Sequence, residues 1–153
     1  MSRFSILLVA LIMVCSSNHS LAEDVLQWRG SGRNGVYNET GLLEKWPAKG
    51  PALLWSTEEA GYGYSSPIVV KGRIYLTGND DESEFVTCFD NKGKKLWRRV
   101  YSPVWDGSYP EARTTPTYVN GRIYMISGTG VVACVDANSG KLLWSVEVWA
   151  RFK

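Results

Sequence analysis

The sequence is poor in the groups that most enzymes use to move protons, with a single histidine, His19, and three cysteines among 153 residues. It also lacks any apolar run long enough to cross a bilayer and any tract of one charge. Each gap excludes a class of function. The longest apolar stretch, residues 6–14, follows Arg3 and leads to Ser20-Leu21-Ala22, the order of a secretory signal with a small-residue cleavage site. Residues 1–22 are therefore expected to be a signal peptide cut after Ala22, giving a periplasmic or secreted protein without a transmembrane span. Cys15 opens an alternative, a lipoprotein anchored through an acylated cysteine. Against it, Ile12-Met13-Val14 lacks the small residue that such processing takes beside the cysteine. Cleavage removes His19. The mature chain then has no imidazole, so histidine general bases, Ser/His/Asp triads and His-ligated zinc cannot be built from it alone. With 17 basic side chains against 15 acidic ones and no basic cluster, no nucleic-acid partner is expected.

What the chain has is aromatic mass, seven Trp and eight Tyr, and a phrase written twice. Ser66-Pro67-Ile68-Val69-Val70-Lys71-Gly72-Arg73-Ile74-Tyr75-Leu76 returns as Thr115-Pro116-Thr117-Tyr118-Val119-Asn120-Gly121-Arg122-Ile123-Tyr124-Met125. The copies stay in step, at an offset of 49 residues at Gly72/Gly121, 46 at Cys88/Cys134 and 47 at Trp97/Trp144. Insertions thus fall between matched segments, as in a structural unit with variable hairpins. A repeat of roughly 40–50 residues built from four short β-runs is the sequence form of a propeller blade. Strands are expected at 67–70, 73–77, 85–89 and 95–100, then at 117–119, 122–127, 131–135 and 142–148. Lys71-Gly72 and Asn120-Gly121 read as two-residue hairpin turns. Asp90-Asn91-Lys92-Gly93 and Asp136-Ala137-Asn138-Ser139-Gly140 read as tight turns before a Trp-bearing strand.

Ahead of the repeats, residues 23–49 form an N-terminal arm. Gly30, Gly32 and Gly35 make a formal G-x-G-x-x-G, but no strand precedes it and no long helix opens after it, so an irregular Gly-rich loop anchored by Trp28 is the better reading. Asn38-Glu39-Thr40 fits the N-glycosylation pattern, which has meaning only in a glycosylating host. Residues 41–49 suggest a helical turn or two, with Leu42, Leu43 and Trp46 on one side and Pro47 at its end. Gly50-Pro51-Ala52-Leu53-Leu54-Trp55 writes the Trp-ended phrase a third time, 42 residues before Trp97. It reads as a ring-closing last strand whose partners are expected at the far C-terminus of a longer chain. The fold class expected is all-β, a partial β-propeller over residues 50–153 with blades at about 62–101 and 110–148. Two blades do not close a ring, so the chain reads as the N-terminal part of a longer product, with closure by association as the alternative.

The paired phrases, and Asp136 to Trp144 in particular, resemble the PQQ enzyme repeat, or tryptophan-docking repeat, of secreted eight-bladed propellers. The resemblance covers nearly all of residues 27–148. It implies one of two functions: a binding or scaffold propeller of the cell envelope, as in the outer-membrane protein assembly machinery, or the N-terminal part of a pyrroloquinoline quinone (PQQ)-dependent alcohol dehydrogenase. The first implies an envelope protein partner or a small-molecule ligand in the funnel, and the second PQQ with calcium. It further implies that Trp55, Trp97 and Trp144 are structural docking residues, each stacking on the next blade's turn. The dehydrogenases carry an adjacent cysteine pair that this sequence lacks. In such a ring the segments at 61–67 and 109–116 face the central funnel, which makes Tyr64 and Arg113 the candidate cofactor-binding residues. Arg113 could hold an anionic group through its guanidinium fork, or it could pair with Glu111 or nearby carbonyls. Tyr64 and Tyr109 could stack on a ligand or line the channel. No catalytic residue and no metal ligand is assigned. Residues 79–84 offer oxygen ligands without calcium-loop spacing and read as a solvated turn. Cys88 and Cys134 read as buried small hydrophobes.

Overall fold

The computed structural model describes residues 23–152, so the expected signal peptide and Cys15 lie outside the described residues. The repeated phrase folds into two four-stranded antiparallel sheets, each a simple meander. The first contains β1 (Ile68–Val70), β2 (Arg73–Asn79), β3 (Ser83–Asp90) and β4 (Lys95–Pro103); the second contains β5 (Thr117–Val119), β6 (Arg122–Ile126), β7 (Val131–Asp136) and β8 (Leu142–Glu147). A four-residue helix, α1 (Val148–Arg151), follows β8. This is an all-β partial propeller. Matched residues occupy matched registers: Cys88 faces Trp97 and Cys134 faces Trp144, with a register shift directly after each cysteine.

The hairpins form as their residues dictate. Lys71 and Gly72 have φ of 50° and 72°, and Asn120 and Gly121 47° and 80°, the double left-handed conformation that matches the twist of two-residue hairpins. Lysine adopts this conformation at a cost, and Asp24 Oδ1 accepts a hydrogen bond from Lys71 N at 2.8 Å. In the tight turns, Asp90 Oδ1 accepts from Lys92 N and Lys94 N, and Asp136 Oδ1 accepts from Asn138 N, Ser139 N and Ser139 Oγ. These donors hold the Asp136 carboxyl below its ordinary range.

One core lies between the sheets. Ile68, Val70, Tyr75, Val86, Cys88 and Tyr101 meet Ile123, Met125, Ala133, Val135 and Ala137. The burial pattern follows position: β3 is buried on both faces, whereas β8 is largely exposed. Both described cysteines are free and buried, and burial pushes the Cys88 thiol up to about 11.

Three expectations change. Residues 41–49 form no helix, and Leu42, Leu43 and Trp46 are exposed; so short a segment needs a surface to bury its apolar side, and none of the described residues provides one. Residues 50–55 form no strand, with Leu53 and Leu54 exposed, because the described residues supply no ladder partner for them. The arm is anchored ahead of Trp28. Val25 exchanges two hydrogen bonds with Val69 of β1, at 2.8 and 3.1 Å, and Leu26 O accepts from Tyr118 N of β5 at 2.8 Å. Leu26 also packs on the core. The Gly-rich loop that follows is a knot of tight turns, closed by Gly30 N to Gln27 O, Arg33 N to Gly30 O and Gly35 N to Arg29 O, and no helix opens after it.

Candidate functional site: an aromatic wall and a row of tryptophans

The two segments that enter β1 and β5 are zipped together. Gly63 bridges Ala112 in parallel, Tyr64 N donates to Ala112 O at 2.8 Å, and Ser66 N donates to Thr115 Oγ1 at 3.1 Å. The end of β2 sets this joint from behind: buried Asn79 accepts from Ala112 N through Oδ1 at 2.8 Å, and Thr77 Oγ1 donates to Thr114 O at 2.6 Å. In front stands a wall of exposed rings, Tyr64 at 74% and Tyr109 at 76%. Tyr64, Tyr109, Pro110, Glu111 and Arg113 line a recess of about 480 Å³. A second recess of about 470 Å³ shares Tyr64 and Arg113 and is completed by Trp28, Ser66, Thr114 and Thr115. Arg113 donates through Nη2 to Tyr109 O at 2.5 Å, and its guanidinium carbon lies 5.0 Å from the Tyr109 ring centre. Tyr109 and Glu111 both hold left-handed backbone, φ 55° and 91°, at a cost of order 1–3 kcal/mol each.

The described residues do not assemble a calcium centre. Arg113 is the one guanidinium lining the two recesses, and it gives one N–H to Tyr109 O. Among the described residues no three His, Cys, Asp or Glu side chains converge on a point. Asn79 and Glu84, expected in a solvated turn, are buried in the structure: Glu84 is 2% exposed, accepting from Tyr101 Oη and from Gly128 N, each at 3.0 Å. Burial, then the Glu84 charge, drives the Tyr101 phenol far above its ordinary range. Only Asp80 to Glu82 remain a solvated tip, with Asp80 Oδ1 accepting from Glu82 N and Ser83 N.

The tryptophans of the repeated phrase meet glycines of the tight turns. A Cβ on Gly93 would come within 2.6 Å of the Trp55 ring, and one on Gly140 within 2.5 Å of the Trp97 ring. Trp55 Nε1 donates to Asn91 O at 3.1 Å. The buried Nε1 of Trp97 has no acceptor among the described residues. The second turn is one residue longer, and its carbonyls are taken: Ala137 O accepts from Tyr75 Oη at 3.2 Å, Asn138 O from Arg73 Nη1 at 3.0 Å, and Gly140 O from Arg99 Nε at 2.7 Å. Trp144 lies against the Tyr124 ring, ring centres 6.1 Å apart, and is 42% exposed. Sequence reading did not find Glu84 as a link between sheets, nor Trp105 and Trp149, whose rings lie against Gly128 and Gly130 of the β6–β7 hairpin. These two tryptophans have no counterpart in the first repeat, so periodicity gave no signal for them.

Two tandem four-stranded sheets of this pattern define an all-β partial propeller. The family described as "Outer membrane protein assembly factor BamB" matches residues 82–153. The chain is 27% identical over 122 residues to the outer membrane protein assembly factor BamB of Moranella endobia (strain PCIT), covering 74% of this chain and 31% of that protein. It is 31% identical over 87 residues to the dehydrogenase subunit of the quinone alcohol dehydrogenase of Gluconobacter oxydans (strain 621H), covering 53% of this chain and 11% of that protein. Among solved structures, a europium-containing methanol dehydrogenase aligns at TM-score 0.48 and 26% identity, over 63% of this chain and 18% of that chain. The chain is similar to these proteins over part of its length, and it spans less than a third of either curated relative. No helix among the described residues is long and apolar enough to cross a membrane.

Proposed function

We propose that this chain is part of a secreted cell-envelope propeller that binds or scaffolds, and that its tryptophans lock one blade to the next. The reading rests chiefly on the assembly-factor match, which takes in β3, β4 and the whole second sheet. It is supported by how the buried polar groups are used. Asn79, Thr77 and Glu84 each bind backbone of the second unit or of the segment leading into it, which suits a frame more than a proton-transfer site. Trp55 and Trp97 are the docked rings, and Trp144 offers the same ring to a further glycine turn. Tyr64 and Arg113 form the ligand-facing wall. Secretion is read from the signal expected at 1–22, and the name of the assembly-factor relative supports an envelope location and a protein partner.

The dehydrogenase relative keeps a second reading in view, the N-terminal part of a PQQ-dependent alcohol dehydrogenase. Titration with PQQ and Ca²⁺, followed by tryptophan fluorescence and dye-linked alcohol oxidation, separates the two. No saturable quenching and no oxidation is the expected result. Saturable binding with alcohol oxidation would overturn the scaffold reading.

A further inference from the structure

Four observations converge on one wall. Two recesses share Tyr64 and Arg113 and so form one elongated surface. Three large rings lie on it exposed, Trp28, Tyr64 and Tyr109, although rings of this size usually bury most of their area. The loop carrying Tyr109 and Glu111 keeps left-handed backbone at both, and the Arg113 bond to Tyr109 O holds that shape. Strained conformations of bulky residues persist where the surroundings over-determine them, commonly at binding sites. Finally, the arm is pinned to both sheets by Val25 and Leu26, immediately before Trp28, so the indole is delivered to the wall by backbone pairing.

The lining specifies a ligand. Exposed rings spaced along a groove offer flat apolar platforms with polar tips. Around them stand a serine hydroxyl (Ser66), a carboxylate (Glu111) and a guanidinium whose remaining N–H groups can fork onto a carboxylate. A ligand that satisfies all of these has C–H faces, many hydroxyls and a carboxylate. We propose that this wall is a binding site for an acidic saccharide of a few residues, with sugar rings stacked on Trp28 and Tyr64, hydroxyls on Ser66 and Glu111, and a uronate carboxylate on Arg113. The proposal rests on the binding-module reading and names the ligand class for that wall.

The test is calorimetric titration of the full chain with trigalacturonic acid and with the corresponding neutral trisaccharide. The acid is expected to bind saturably and about tenfold more tightly than the neutral sugar, the difference carried by one charge-assisted contact. Arg113→Gln is expected to erase that preference and leave the weaker neutral binding. Tyr64→Ala, at an exposed ring, is expected to weaken both sugars by about tenfold with the unfolding midpoint unchanged. Equal affinity for the two sugars, binding of neither, or a preference that survives Arg113→Gln would overturn the proposal. The quinone titration on the same preparation separates the failures. Loss of saccharide binding alone removes this site, whereas alcohol oxidation removes the binding-module reading itself.

Discussion

The two sheets are written in nearly the same words but sit in different surroundings. In the first sheet, β3 is covered on both sides. The second sheet covers one, and on the other Arg98 lies over Phe85, its guanidinium carbon 3.9 Å from the ring centre, while Trp55 closes over Gly93. Among the described residues the second sheet has a neighbour on one side only. From the first sheet Arg73, Tyr75, Trp97 and Arg99 reach across and grip the Asp136–Gly140 turn. The second sheet carries Arg122, Tyr124 and Trp144 at the equivalent places, and among the described residues there is no turn for them to grip. A repeated sequence thus encodes half of an interface in each copy. The half becomes stabilising only where the next copy's glycine turn is present, which is how stability in repeat architectures divides between units and seams.

That comparison can be broken by mutation. Trp97→Ala should have the largest effect, about 3 kcal/mol, as expected for deleting a large and partly buried ring. Trp144→Ala should cost less than about 1 kcal/mol because little surrounds that ring. Urea unfolding of the two variants checks both. Gly140→Ala should cost about 2–3 kcal/mol, since its Cβ would meet Trp97 at 2.5 Å on a backbone of φ +68°. Gly121→Ala, with φ +80° and no atom within 4 Å, should cost only the backbone part, about 1 kcal/mol. Glu84→Gln should cost about 1–2 kcal/mol, because an amide cannot accept at both positions now used by Tyr101 and Gly128.

The smallest effect is with pH. Burial raises the Cys88 thiol to about 11 and the Tyr75 phenol to about 12. Both groups bind protons more tightly folded than unfolded, so their contribution is fully present below their ordinary values near 9 and 10. It is lost as pH rises through the folded values. The unfolding midpoint should therefore be insensitive to these groups at neutral pH and fall progressively above about pH 9, and Cys88 should resist thiol reagents in the native chain at pH 8.

Most of the fold was legible in the sequence because the repeat is self-referential. Two copies of Gly-Arg-Ile-Tyr and two of the Gly-to-Trp phrase place eight strands, and hairpin chemistry at Lys71-Gly72 and Asn120-Gly121 sets their register. What failed was what depends on a neighbour. Residues 50–55 have strand composition, but a strand needs a ladder partner, and residues 41–49 have a helical pattern with nothing to bury it against. Glu84 was read as solvated because its neighbours Asp80 to Glu82 are, although Gly128 and Tyr101 close over it from elsewhere in the chain. The aromatic wall was legible as residues Tyr64, Tyr109 and Arg113. Its backbone strain, its link to Asn79 and the part Trp28 has in it depend on contacts across more than thirty residues, which local pattern does not reveal.

The most direct measurement is a double-mutant cycle between Trp97→Ala and Gly140→Ala, read by equilibrium urea unfolding. If the ring seated on the glycine joins the two sheets, Gly140→Ala should cost about 1–2 kcal/mol less once the ring is gone, because only backbone strain remains. Strictly additive costs would contradict the account, for they would mean that the Trp97 ring and the Gly140 turn do not bear on each other.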